Sequence, residues 1–172
     1  MKFAVLAGLR PGEILALQWR HLLDTHADIR QRVYRGRIDT PKTRRSKRNA
    51  ALPAGLLADI KDWRDMSGSA AAEDWVFPSR AGKTPLSRDN LSRRHIAPAL
   101  NAVGLGWVDF HVMRRTHATL MNEIHDDPKL VADQLGHTLD VNQNVYTRVS
   151  LMRRKYAVDE FESALQRETG EP

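Results

Sequence analysis

The chain has 172 residues, 41% apolar and 28% charged, with 27 Lys and Arg against 21 Asp and Glu for a net charge of +6. This length and balance predict one soluble globular domain with a real core. The absence of cysteine excludes a disulfide framework or a thiolate zinc site, and no apolar run approaches the about 20 residues of a membrane span.

The opening MKFAVLAGL is apolar but is cut at Arg10 and runs into a helix start, which argues against a secretory signal. Residues 2–9 read as helical, broken near Gly8. Pro11 suits a first helical position and Glu13 a first turn, so a second helix is expected to reach about Leu23. From 29 to 52, basic and β-prone residues alternate, predicting two or three short antiparallel strands with a hairpin or its tip at Pro41–Lys47. A helix over 54–66 would share Leu56, Leu57, Ile60 and Trp63 on one face.

Residues 68–73 are a small-residue loop and 75–78 a short extended piece. Ser87 caps a helix at about 88–102, which Pro98 should kink and Gly104 end. Helices at about 111–125, 128–135, 140–148 and 151–167 complete the chain, with Asp127-Pro128 and Gly136 bounding the second of these. The fold class is therefore mostly α with a small antiparallel β-sheet (α+β).

Nine basic residues crowd into 30–48 (Arg30, Arg32, Arg35, Arg37, Lys42, Arg44, Arg45, Lys47, Arg48), opposed by Asp39. A cluster of this kind favours a polyanion such as double-stranded DNA, because phosphate contacts dominate nucleic-acid affinity. A solvated basic face is the alternative. Arg35, Arg37, Arg44, Arg45, Lys47, Arg48 and Arg115 are the candidate DNA contacts. Sparse aromatic residues argue against a binder that stacks single-stranded bases.

In HVMRRTHATLM, a roughly 100° turn per residue places Met113, His117, Leu120 and Ile124 on one stripe, taken as the core face. His111 lies nearly opposite, with Arg114 about 60° from it, so the i, i+3 pair sits side by side away from the seam, as a functional pair or as an ordinary polar helix face, whereas His117 reads as a core histidine. His137 follows Gly136 just past a helix end, where it can reach a cleft or simply complement the helix dipole. Val141, Val145 and Val149 repeat every four residues, and Tyr146 stands off that stripe. Tyr34 and Tyr156 are weaker nucleophile candidates, each remote in sequence from a histidine–arginine group. Arg10, before Pro11, could grip one phosphate together with Arg114, because a planar guanidinium fork suits two oxygens. Lys42 could protonate a leaving oxygen or merely contact phosphate.

Read together, GLRPGE, PKTRRSKR ahead of a Leu-Pro dipeptide, HVMRRTHATL, LGH and a tyrosine nine residues later resemble the tyrosine recombinase family, the integrases of phages and mobile elements. The resemblance covers nearly the whole chain as that family's catalytic domain. It implies one domain over 1–172 that lacks a separate N-terminal core-binding domain and the first catalytic-domain helix. AGLR stands where the family more often has TGLR.

The resemblance further implies that Tyr146 attacks a DNA phosphodiester, forming a 3′-phosphotyrosyl bond and releasing a 5′-hydroxyl. Arg10 and Arg114 would stabilise the pentacoordinate phosphorus, Lys42 would be the general acid, and His111 and His137 would position the phosphate and assist proton transfer. Glu13 would orient basic residues. No metal or other cofactor is needed, since the covalent bond conserves the energy for rejoining. The expected setting is cytoplasmic and nucleoid-associated, bacterial or phage-encoded, with no membrane partner and with self-association to a tetramer on DNA. The first alternative is a catalytically inactive or truncated DNA-binding remnant of the same fold; the second is a metal-dependent nuclease built on His111, His117 and His137, which lacks a clustered Asp/Glu set beside those histidines.

Overall fold

A computed structural model describes residues 1–40, 46–68, 71–125, 127–138, 155–156 and 158–161. Its described part is mostly helical with short antiparallel strands, as the sequence predicts. No helix among the described residues is long and apolar enough to cross a membrane.

Helix α1 (Lys2–Leu6) is followed by Gly8 in a left-handed turn, φ +65°. Glycine is required there on two grounds. L side chains resist that φ, and a Cβ would lie 2.6 Å from both His117 Cδ2 and Leu135 Cδ2. Helix α2 (Pro11–Leu15) starts on Pro11, whose missing N–H costs nothing at a first helical position.

The expected continuation of α2 to Leu23 does not occur. Ile14 through Leu17 and Trp19 are all buried, and the backbone satisfies itself against a second segment instead. Val76 N donates to Leu17 O at 2.9 Å and Trp19 N to Asp74 O at 3.1 Å, and a 3-10 turn follows at Trp19–His21. Tertiary pairing overrides helix propensity here.

Strands β1 (His26–Ile29), β2 (Arg32–Tyr34), β3 (Arg37–Asp39) and β4 (Arg48–Ala51) form two antiparallel pairs, β1 with β4 and β2 with β3. The β2–β3 turn is Arg35-Gly36, both at positive φ (49° and 74°), the geometry of a tight twisted hairpin. This hairpin precedes the one expected at Pro41–Lys47, most of which lies outside the described residues. In the other pair Ile29 faces Arg48 and Ala27 faces Ala50. Ala27, Ile29, Arg48 and Ala50 point inward, and Asn49 and Ala51 outward.

Helix α3 (Ala54–Met66) buries Leu56 and packs Leu57 and Ile60 on the core. Trp63 is 40% exposed, yet its indole N–H reaches Val76 O at 2.8 Å. Ser87 caps α4 (Arg88–Leu91) as predicted, accepting from Asn90 N–H. Pro98 widens the helix rather than simply bending it. Its ring lacks an N–H and crowds the carbonyl four residues back, so Ser92–Ile96 takes π spacing, with Ala97 N–H on Ser92 O, before α5 (Ala97–Ala102) resumes.

Helix α6 (Phe110–His125) corrects the face assigned from sequence. Its buried residues are Phe110, Met113, Arg114, His117, Ala118 and Asn122, whereas Leu120 is 48% and Ile124 72% exposed. The true seam therefore runs one position around the helix, on the i, i+3, i+4, i+7, i+8 pattern, and takes Arg114 inward. Helix α7 (Pro128–Leu135) is bounded as predicted: Asp127 caps it by accepting from Lys129 and Leu130 N–H, and Gly136 ends it at φ 67°. The helix expected at 140–148 lies outside the described residues. Of the one expected at 151–167, residues 155–156 and 158–161 are described and helical.

The main core joins Phe3, Leu9, Ile14, Leu17, Trp19, Ile29, Leu52, Leu56, Val76, Leu100, Phe110 and Met113, among others. A second cluster, Ala118, Val131 and Leu135, locks α7 onto α6. These contacts bring the Gly8–Arg10 turn, the middle of α6, the end of α7 and the start of β4 to one place.

Candidate active site

Arg114 occupies the centre of that junction and is 2% exposed. A buried guanidinium needs acceptors for its N–H groups, and the surrounding turns supply them. Nη1 donates to Gly8 O. Nη2 donates to Leu135 O at 2.6 Å and to His137 Nε2 at 2.7 Å. Leu135 O is one of the carbonyls that a helix leaves without intrahelical partners at its end. Carbonyl partners fix the fork without cancelling its charge. Arg114 thus belongs to the buried seam of α6, not to the open face that its spacing from His111 suggests.

Arg10 stands beside this group at the start of α2, about a third of its side chain exposed. Glu13, 3% exposed, holds it twice: Glu13 Oε2 accepts from Arg10 N at 2.9 Å and Oε1 from Arg10 Nη1 at 2.7 Å. The same carboxylate accepts from Arg48 Nη1 at 3.2 Å and Nη2 at 3.1 Å. Burial pushes the Glu13 pKa upward, but the charges and hydrogen bonds of Arg48 and Arg10 outweigh it and bring the group down to about 2. At pH 7 Glu13 is therefore an anion between two arginines.

His137 follows the left-handed Gly136 and reaches back to Arg114, its backbone N–H closing onto Ala132 O at 3.0 Å. Burial first, then the guanidiniums of Arg114, Arg10 and Arg48, lower its pKa from 6.5 to about 3, against a smaller upward pull from Glu13. The ring is therefore neutral at pH 7, with the Nε2 lone pair turned to Arg114. A phosphodiester entering between Arg10 and Arg114 would offset those positive charges and make this imidazole more basic.

His111 lies one turn before Arg114 at the exposed start of α6, where Asp109 Oδ1 accepts its backbone N–H at 2.8 Å. His117 is interior, as its phase predicts: its Nδ1 pairs with Val5 O at 3.0 Å, and burial lowers its pKa. Lys42, Arg44, Arg45 and Tyr146 lie outside the described residues. Arg35, Arg37, Lys47 and Arg115 are exposed, where a polyanion can reach them.

Arg48 is a correction to the expected DNA-contacting set. It is 8% exposed, sits at an inward position of β4, and commits its guanidinium to Glu13 and to Gln134 O. The alternation of Arg48, Ala50 and Leu52 was the available signal, since an arginine in register with buried residues faces inward. Gln134 was also missed. Its amide accepts from Ala51 N at 2.9 Å and donates to Ala51 O and Ala7 O at 3.0 Å each. A groove of about 940 Å³ opens beside this junction, lined among others by Lys47, Arg48, Lys129, Gln134 and His137.

The chain has relatives among known proteins. A tyrosine recombinase XerC-like protein of Caldanaerobacter subterraneus subsp. tengcongensis is 28% identical over 179 residues, covering 88% of this chain and 45% of its own length. The ICEBs1 integrase of Bacillus subtilis is 28% identical over 162 residues, 83% of this chain and 43% of its own. The chain thus spans less than half the length of these relatives. Among solved structures, the Tn1549 transposon integrase in complex with circular intermediate DNA superposes with a TM-score of 0.74 at 17% identity, over 92% of this chain and 57% of the other. The XerA recombinase gives 0.70 at 19%, over 93% and 54%. Those two likenesses establish the fold. Residues 1–153 match the sequence pattern of the phage integrase family, and the chain belongs to that family.

Proposed function

We propose that this chain cuts and rejoins DNA strands in site-specific recombination, through a covalent 3′-phosphotyrosyl intermediate at Tyr146. The observation that carries the proposal is the Arg10–Arg114–His137 group: two guanidiniums held by neighbouring turns and a carboxylate beside a neutral imidazole. Rigid cations of this kind act where charge develops, without the cost of reorganising in the transition state.

In this mechanism the Tyr146 oxygen attacks phosphorus and a P–O bond to tyrosine forms as the bond to the 5′-oxygen breaks. Arg10 and Arg114 bind the two non-bridging oxygens as the phosphorane develops. Lys42 gives its proton to the departing 5′-oxygen. The tyrosine proton passes to an imidazole, that of His111 or, once Arg114 has turned from its Nε2 to the phosphate, that of His137, since a phenol of pKa about 10 is a weak nucleophile at neutral pH without help. Attack by a 5′-hydroxyl from another strand reverses these steps and frees Tyr146. The substrate is double-stranded DNA, and the active assembly is a tetramer on two duplexes. Family membership and the DNA-bound state of the related Tn1549 integrase support the substrate class.

The test uses a pool of nicked duplexes with randomised sequence around the nick, which trap the covalent step because a short fragment diffuses away. The wild type should form an SDS-resistant adduct insensitive to chelator, and Tyr146→Phe should form none. An adduct in the Phe variant would remove Tyr146 as nucleophile. DNA binding without any wild-type adduct would mark a DNA-binding protein of the same fold.

A further inference from the structure

We propose that Arg48 is a positioning residue for the strand-cleavage step, holding Arg10 through Glu13 and His137 through the last turn of α7. The inference rests on the proposed function above, and assigns to a scaffold residue a role in it.

One guanidinium links three segments far apart in sequence. Nη1 and Nη2 lie side by side on the two oxygens of Glu13, at 3.2 and 3.1 Å. Nε donates to Gln134 O at 2.7 Å, three residues before His137. Nη1 also approaches Ser46 O at 3.4 Å, next in sequence to the segment that carries Lys42. Glu13 in turn holds both the backbone and side chain of Arg10.

The other attachments make this brace stiff. Arg114 takes Leu135 O, so two arginines bind successive carbonyls at the end of α7. The Gln134 side chain pairs with both backbone groups of Ala51 on β4, the strand that bears Arg48. His137 can therefore shift only if α7 moves relative to β4. Arg10 can shift only if Glu13 releases it. Among the described residues, Arg48 is the one that bonds to both α7 and Glu13.

Lysine cannot substitute. A single ammonium supplies the charge but not a planar fork reaching a carboxylate on one side and a carbonyl on the other. Displacing reacting groups by about 1 Å costs on the order of 100-fold in rate, so geometry rather than charge is the quantity at stake.

The experiment measures Arg48→Met and Arg48→Lys with the nicked-duplex pool. It records adduct formation at saturating DNA, DNA affinity, and the thermal transition. Arg48→Met should slow adduct formation by about 100-fold and Arg48→Lys by about 10-fold, both with wild-type DNA affinity. If Arg48→Met has no folding transition, Arg48→Lys, which keeps a cation on Glu13, carries the test alone. Adduct formation at the wild-type rate in Arg48→Lys would overturn the inference. So would weaker DNA binding with an unchanged rate at saturation, which would make Arg48 a DNA contact after all. A wild type that forms no adduct defeats the proposed function itself, a result distinct from either of these.

Discussion

The two strand pairs use arginine in opposite ways, although both draw on one basic stretch of sequence. In β1–β4, Arg48 points inward between Ala27, Ile29 and Ala50 and is spent on Glu13 and Gln134 O. In β2–β3, Arg35 and Arg37 stand on an exposed hairpin, with Arg35 lying 5.3 Å over the Tyr34 ring. Charge density does not distinguish them. Strand register does, because alternate residues face opposite sides. An inward arginine must be paired, since an uncompensated buried charge costs several kcal/mol, about 3–5 when one partner is removed. An outward one stays available to an anion.

The inner set should fail first in catalysis. Arg114→Ala removes a buried donor that also ties Gly8 O and Leu135 O together, and should lower adduct formation at saturating DNA by about 1,000-fold. A loss of less than about tenfold would mean that another cation does this work. Next in size is stability. Glu13→Gln keeps the shape of the side chain but leaves the Arg10–Arg48 pair without its anion, and should cost about 3 kcal/mol, read as a lower urea midpoint.

Acid should reproduce part of that loss in the wild type. Glu13 is depressed to about 2 from 4.5, so its contribution is complete above pH 4.5 and is lost as pH falls toward 2. His137, depressed to about 3 from 6.5, binds its proton in the unfolded chain first, so folding weakens as pH falls from 6.5 toward 3. Both act in the same direction, and urea midpoints should fall continuously from pH 7 to pH 4. In Glu13→Gln the part of this decline below pH 4.5 should shrink. An identical profile in that variant would show that folding does not depress the Glu13 pKa.

How legible the molecule is from its sequence follows the same division. Caps and turn residues act locally, so Ser87, Asp127-Pro128 and Gly136 announce their helix ends. The ordered motifs mark Arg10, His111, Arg114 and His137 without knowledge of the fold. Apolar periodicity misjudges the face of α6 because it assumes that a seam is apolar, and this one contains Arg114, His117 and Asn122. Leu120 and Ile124 then pull the predicted stripe toward solvent. Arg48 is misread for a related reason: its partners Glu13 and Gln134 lie 35 and 86 residues away, and nothing local announces them. The helix past Ala16 fails because the partner segment at 74–76 is equally remote.

The smallest predicted effect tests the outer half of the comparison. If the β2–β3 hairpin meets phosphate, Arg35→Gln with Arg37→Gln should reduce the slope of log affinity against log salt by about 2, close to one unit for each phosphate no longer neutralised. Stability should change by no more than about 0.5 kcal/mol, because both side chains are exposed. The rate of adduct formation at saturating DNA should not change, since neither residue is bonded to Arg10, Arg114 or His137. An unchanged salt slope would reduce the hairpin arginines to a solvated basic face. A slower saturated rate would do something more damaging, by showing that the outer pair of strands shapes the site as the inner pair does.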